Sequence, residues 1–309
     1  MKTQFKNLIE FVQVFSNDNI CREYFEKQRW NGKPVCPHCK NDKNIYTLGK
    51  VGQYKCSNKE CYKKFTVTVG TVFESKKGSL VKWFAAMYLV TAHKKGISSV
   101  QLSKDIGVTQ KTAWFMLMRI REMLQEQNPQ ALTGVVEIDE SFFGGKEKNK
   151  HAHKKTEGTQ GGAGKAIVIG LLERGGNINV QPIENREGAT LMPIIDSQVQ
   201  VGTTIATDEL KAYAHLSKNY THLKVNHSAN EYVNGMAHVN GVEGFWSLMK
   251  RGINGIQHSI SNKHLHRYCD EYSYRYNSRT SLDTSRFTNT LAHSEGRLTY
   301  KNLTGKSNG

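Results

Sequence analysis

The chain has 309 residues, with 43 Lys and Arg against 27 Asp and Glu, giving a formal net charge of +16 and a pI near 9.5. Such an excess suits a polyanionic partner, or an anionic membrane surface. No apolar run approaches the roughly 20 residues of a spanning helix, and the polar start Met1-Lys-Thr-Gln-Phe-Lys-Asn-Leu8 does not read as a secretory signal. The expectation is a cytosolic chain with one large core and small appended modules, whose cysteines are thiols or metal ligands rather than disulfides.

Residues 1–30 read as an N-terminal helical segment. Residues 31–72 follow with two close cysteine pairs, Cys36-Pro-His-Cys39 and Cys56-Ser-Asn-Lys-Glu-Cys61. Pairs separated by about 15–20 residues match a zinc ribbon, each pair making one knuckle of a tetrahedral four-thiolate site. Such a closed site is structural, since no coordination position remains for substrate. A redox Cys-x-x-Cys is the other reading. His38 is an alternative ligand for which four cysteines leave no vacancy, and Cys21 and Cys269 lack partners at ligand spacing. Tyr54-Lys55 and Lys63–Val69 read as ribbon strands.

Residues 78–127 are helical in pattern. Ser79–Val90 is apolar at helical spacing; Ser98–Ile106, Gly107 and Thr109–Arg121 then give helix, tight turn, helix, with Ser98 and Thr109 as N-caps. This is the shape of a helix-turn-helix. Its second helix would present Gln110, Lys111 and Trp114 to a major groove. A plain three-helix bundle packed on the ribbon is the alternative.

From Gly134 the pattern changes to strands, and residues 132–285 read as one domain. Val135, Val136 and Ile138 form a strand that carries Asp139 and stops at Gly144-Gly145. Ala166–Glu173 and Asn177–Ile183 flank Arg174-Gly-Gly176 as a hairpin. Ala189–Val199 reads as a helix despite Pro193. A short β-branched run leads to Asp208 and a helix-like Glu-Leu-Lys-Ala-Tyr213, and Leu223–Asn226 reads as a fifth strand. Between the first two strands, the insertion 146–165 holds six lysines, two histidines and four glycines. Lys148, Lys150, Lys154 and Lys155 are there to meet a phosphate backbone, unless the loop is merely solvated.

The third carboxylate lies in His238-Val-Asn-Gly-Val-Glu-Gly-Phe-Trp-Ser-Leu-Met-Lys-Arg251. At 100° per residue, Val242, Phe245, Leu248 and Met249 are expected on the buried arc, with Glu243 facing away and Lys250 returning to within about 20° of it. An amphipathic surface helix with a polar Glu is the bland account, just as strand-terminal Asp residues also cap turns. Three carboxylates in the order strand, strand, helix can instead converge on two hard divalent cations, which bridge the attacking and leaving oxygens of phosphoryl transfer. Glu137, Glu140 and Glu209 compete for these places. Glu137 shares the strand face of Asp139, and Glu140 takes the opposite one.

The strings EIDESFFGG, TDELKAY and HVNGVEGFWSLMKRGI resemble those of ISXO-like bacterial insertion-sequence DDE transposases, relatives of the Merlin transposases, over about Asn19 to Arg279. The resemblance implies an α+β multidomain chain of zinc ribbon, helix-turn-helix and ribonuclease-H-like mixed sheet. It places the catalytic triad, with two Mg²⁺ or Mn²⁺, on Asp139, Asp208 and Glu243. It also implies double-stranded DNA (element ends and target) as substrate, and at least a homodimer on that DNA. Lys250 and Arg251 are candidates to hold backbone near the reacting phosphate. The helix Asn262–Arg279 either packs its tyrosines on the domain or stacks them on bases. Residues 286–309 read as a C-terminal tail, disordered over its last ten residues. Two rival functions share these parts: a domesticated DNA-binding regulator, and a structure-specific nuclease that stops at hydrolysis.

Overall fold

A computed structural model describes residues 4–126, 129–145, 164–208, 210–225 and 238–305. The chain divides into two compact units, one of residues 1–124 with 280–309 and one of residues 125–279. No helix among the described residues is long and apolar enough to cross a membrane.

The first unit begins with α1 (Leu8–Val14) and α2 (Asp18–Trp30), capped by the Asn7 and Asn17 side chains. The ribbon follows as a three-stranded antiparallel sheet of β1 (Tyr46–Thr47), β2 (Tyr54–Lys55) and β3 (Lys64–Phe65). The strand expected over 63–69 is thus only two residues long, because the backbone turns at Val69 and Thr71, whose N–H groups bond to Thr66 and Thr68. Trp30 seats the ribbon, its ring edge-on to Tyr54 and Phe65. Three helices follow: α3 (Leu80–Ala92), α4 (Ser99–Asp105) and α5 (Gln110–Met123). The first is buried on nearly every side, as a helix apolar all round must be. Gly107, at φ +60°, makes the turn between α4 and α5, and the Ser98 and Thr109 side chains accept from the Gln101 and Thr112 N–H groups as expected of N-caps.

The C-terminal tail is a correction. The described residues 286–305 pack into the first unit instead of trailing as a tail. Helix α9 (Asp283–Ala292) inserts Phe287 into the cluster of Phe5, Phe11, Phe15, Tyr24 and Phe84, and α10 (Tyr300–Thr304) buries Leu303. The physical cause is the aromatic demand of the N-terminal helices, which their own residues do not close.

The second unit is a five-stranded mixed sheet in the order β6-β5-β4-β7-β8, built from β4 (Val135–Phe143), β5 (Ala166–Glu173), β6 (Ile178–Ile183), β7 (Thr204–Thr207) and β8 (Thr221–Lys224). The first three strands are antiparallel, and β7 and β8 run parallel to β4. This is the ribonuclease-H-like arrangement, with β4 at the centre. The last strand ends at Lys224, two residues short of expectation. After Asp208 the expected helix is only a 3-10 turn, Lys211–Tyr213. One face packs Val136, Ile138, Ile205 and Leu171 against Leu191 and Ile195 of α6 (Gly188–Gln198). The other receives α7 (Asn240–Gly252) and α8 (Leu265–Asn277). Helix α8 buries Tyr268 and Tyr272 rather than offering them to bases, and Asn277 closes the exposed sheet edge by bonding both backbone groups of Ile178.

Candidate active site and zinc centre

The sulfurs of Cys36, Cys39, Cys56 and Cys61 all lie within 4.8 Å of one another. Cys36 and Cys61 are 3.7 Å apart, and Cys39 and Cys56 are 3.5 Å apart. Four sulfurs about 2.3 Å from a tetrahedral zinc stand roughly 3.8 Å apart, whereas a disulfide needs about 2.05 Å. Lys40, at φ +61°, bends the first knuckle so that its N–H reaches the Cys36 carbonyl, and Asn41 Nδ2 points to Cys56 Sγ at 3.7 Å. The donor set is soft, closed and correctly spaced for structural Zn²⁺, and His38 takes no part in it.

The carboxylates of the second unit are gathered by the sheet and α7. β4 and β7 are parallel with Glu137 opposite Ala206. Two residues further along each chain segment, just past that ladder, come Asp139 and Asp208, near enough that the Asp208 charge acts on Asp139. The Leu210 N–H fixes the Asp208 carboxylate in a tight turn at 3.0 Å. Glu243 is exposed on the first turn of α7, and that helix is tied to β4 twice. Trp246 Nε1 donates to Asp139 Oδ2 at 3.0 Å, and the Val242 N–H donates to Glu137 Oε2 at 3.0 Å. Burial, then the neighbouring Asp208, push the Asp139 carboxyl up to about 6; Glu243 adds to this, while hydrogen bonds from the Glu140 N–H and Trp246 pull it back. The three acids are thus coupled electrostatically through Asp139. They do not all close to within 4.8 Å of each other, a spacing that among the described residues only the four cysteines reach.

The competing acids are otherwise engaged. Glu137 is 1% exposed, accepts from Arg174 Nε at 2.7 Å and caps α7. His238 Nδ1 stands 3.3 Å from Glu137 Oε1, the oxygen that takes Arg174, without hydrogen-bond geometry. Glu140 accepts the Tyr213 hydroxyl, and burial raises its carboxyl to about 7 despite that bond. Glu209 lies outside the described residues, as do Lys148, Lys150, Lys154 and Lys155. Lys250 and Arg251 are exposed near the end of α7, with Lys250 Nζ 5.9 Å from the Phe143 ring centre. In the first unit, Gln110 is exposed and bonds Ser99, and Lys111 lies over the Tyr300 ring.

The buried arc of α7 is Val242, Phe245, Trp246 and Met249, whereas Leu248 is only half-buried. The difference from expectation is angular: Trp246 stands about 40° from Val242 and Leu248 about 120°. Reading that angle would have found the tryptophan, three residues from Glu243 and on its side of the helix.

A model of the ISXO2-like transposase domain matches residues 131–277, and one of a transposase zinc-ribbon domain matches residues 16–64. An uncharacterized protein in transposable element ISH50 of Halobacterium salinarum is 31% identical over 253 residues, 78% of this chain and 84% of that protein. The chain belongs to the ISXO2-like transposases. A transposase-like protein of Haemophilus influenzae is 29% identical over 97 residues, 31% of this chain and 77% of its own length. Chains of the Mos1 strand transfer complex and of the pre-cleavage Mos1 transpososome align with TM-scores of 0.29 and 0.26 at 10% and 11% identity. They cover 69% and 70% of this ISXO2-like chain and 78% and 80% of their own, too distantly to bear on the site.

Proposed function

We propose that this transposase binds the terminal inverted repeats of an insertion sequence and catalyses metal-dependent strand cleavage followed by strand transfer, with Asp139, Asp208 and Glu243 as its catalytic triad. The observation that carries the reading is the pair of bonds from α7 to β4, which hold the Glu243 helix against the strand of Asp139. All-oxygen donors whose charges repel one another fit two hard cations, Mg²⁺ or Mn²⁺. When bound, these supply an activated water or 3′-hydroxyl and stabilise the departing oxygen. The protein's own residues do the rest. Trp246 orients Asp139, the Leu210 amide orients Asp208, and Lys250 and Arg251 hold the DNA backbone beside Glu243.

The first unit is the DNA reader, with α5 as recognition helix and Gln110 and Lys111 at its start. Zinc holds the ribbon. The insertion lysines add sequence-independent contacts to phosphate. Two ends must be held together, so the working form is a homodimer or larger on DNA, acting in the cytoplasm.

The test uses element-end duplexes. Asp139→Ala, Asp208→Ala and Glu243→Ala each abolish Mg²⁺-dependent cleavage while end binding persists, and Glu140→Ala keeps substantial activity. Normal cutting by any triad variant removes that residue from the mechanism. Pre-cut ends with a 3′-hydroxyl yield joined products with a transposase; their absence under conditions that permit cutting indicates a nuclease.

A further inference from the structure

Between α5 and the segment leading into α10, the first unit encloses a cavity of about 450 Å³. Its walls carry four cations, Lys77, Lys111, Arg119 and Arg297, and no carboxylate among the described residues. Arg119 is the unusual member. It is 3% exposed, lies 4.5 Å from the Phe115 ring centre and donates from Nε to the Leu298 carbonyl at 2.9 Å. Its Nη1 finds no hydrogen-bond partner among the described residues. A buried guanidinium with an unmet donor costs stability unless something answers it. Arg297 makes the position worse, since burial first, and then its charge, hold Arg119 below the usual arginine range. Glu74 pairs with Arg297 at 3.2 Å and its charge offsets part of the cost at Arg119, but Arg119 Nη1 is still without a hydrogen-bond partner among the described residues.

Apart from Met116, the rest of the lining is aromatic and hydroxylic. Tyr300, 40% exposed, stands edge-on to Phe115 at 5.4 Å, and Lys111 Nζ sits 5.0 Å from the Tyr300 ring centre. Thr109 and Thr112, in the first turn of α5, also face the cavity, where the positive end of the helix dipole favours an anion. Cations beside flat rings suit a group that is anionic at one end and aromatic at the other. The volume falls within the range of small-molecule pockets, about 300–1,000 Å³, which admits one nucleotide but no stacked duplex.

We propose that this cavity receives a single unpaired nucleotide of the DNA end, its phosphate toward Arg119 and Arg297 and its base on the Tyr300 ring. The inference rests on the reading of the first unit as the DNA reader and extends it. Recognition then has two parts, α5 on the duplex and the pocket on a nucleotide extruded from it or frayed at its terminus. Stacking on aromatic rings tolerates any base, and the α5 contacts carry the sequence.

The experiment titrates the full chain with duplexes that are either blunt or carry one unpaired terminal 2-aminopurine. Wild-type protein binds the unpaired end about 10-fold more tightly than the blunt duplex and quenches its fluorescence as the base stacks. Tyr300→Ala and Arg297→Ala, both at exposed side chains that can be lost without emptying the core, reduce the preference to about 1. Deoxynucleoside monophosphate competes for the unpaired end better than inorganic phosphate does. Equal affinity for both duplexes with no quench overturns the proposal while leaving duplex recognition standing. Equal competition by inorganic phosphate, with Tyr300→Ala silent, reduces the cavity to an anion site and overturns the nucleotide. Binding of free nucleotide by a protein that binds no DNA overturns DNA as its source, and with it the reading of the unit as a DNA reader.

Discussion

Asp139 and Gly170 face each other across the β4–β5 ladder, and the glycine makes room for the tryptophan that holds the aspartate. A β-carbon at position 170 would stand 2.7 Å from Trp246 Cζ2, too close for the indole to stay. Two residues far apart in sequence thus determine one side-chain orientation in the proposed active site.

Gly170→Ala is accordingly expected to displace Trp246, and Trp246→Phe to keep most of the packing but lose the bond. Hydrogen bonds to charged groups contribute about 1.5–3 kcal/mol, so cleavage should slow about 10- to 100-fold in both. Initial rates across a Mg²⁺ titration provide the check. A wild-type rate in Trp246→Phe would mean that the bond does not orient Asp139.

Glu137 separates positioning from metal binding. It is buried against the partly exposed Arg174 and caps α7, so Glu137→Ala leaves an unpaired, partly solvated guanidinium and an open helix end. Leaving the Val242 N–H without its acceptor costs about 1–3 kcal/mol, enough to lower the melting temperature by several degrees. Glu137→Gln keeps an acceptor for the Val242 N–H and should recover much of the stability and more than a tenth of the cleavage rate. Complete loss of cleavage in a well-folded Glu137→Gln protein would instead make it a ligand. The cost of any side chain at Gly241, where a β-carbon would meet Glu137 Oε2 at 2.8 Å, can be measured in the same assays.

The order of elements in the catalytic unit was legible in the sequence because each strand is bounded by its own punctuation. Gly144-Gly145 and Arg174-Gly-Gly176 end strands, and the apolar runs between them have strand length. The cysteine spacing told as much about the ribbon. The parallel pairing that sets Asp139 beside Asp208 was not readable from local pattern, since register arises between strands more than 60 residues apart. Nor was the return of Phe287 to the N-terminal aromatic cluster, a long-range contact with no local periodicity to announce it. Strand alternation puts Glu137 on the face of Asp139, but its duty as a helix cap depends on where α7 lands.

The raised carboxyls at Asp139 and Glu140 give the metal-free protein an inverted pH dependence. Their folded values, about 6 and about 7, lie above the ordinary 3.8 and 4.5, so the folded state holds these protons more tightly than the unfolded chain does. Their contribution is favourable in full below about 4 and is lost as pH rises through 6 and 7. In Mg²⁺-free buffer the second unit should therefore melt higher at pH 5.5 than at pH 8, against the trend of paired carboxylates elsewhere. Asp139→Asn should be more stable than wild type at pH 8 and inactive, and added Mg²⁺ should narrow that gap by stabilising only the wild type. A flat melting profile for wild type between pH 5.5 and 8 would show that solvent reaches these carboxyls and relieves both their burial and their repulsion.

Zinc is expected at one ion per chain, measurable by elemental analysis of protein purified under reducing conditions. Cys36→Ser and Cys61→Ser each remove a sulfur from opposite knuckles and should release the ion, whereas His38→Ala should retain it, because that ring is not among the clustered ligands. Structural zinc supplies folding energy outright, about 10–16 kcal/mol in small zinc modules, so the ribbon sheet should unfold with the metal. Trp30, packed edge-on against Tyr54 and Phe65, is the natural reporter, and its fluorescence should shift as the ribbon opens. The proposed catalytic cations would differ in kind: oxygen ligands hold Mg²⁺ loosely, and brief EDTA treatment should strip it while the four thiolates keep zinc. Cleavage should then return on adding Mg²⁺ alone. If it returned only after zinc was added as well, the two centres would not be independent, and the thiolate site would be weaker than its sulfur spacing implies.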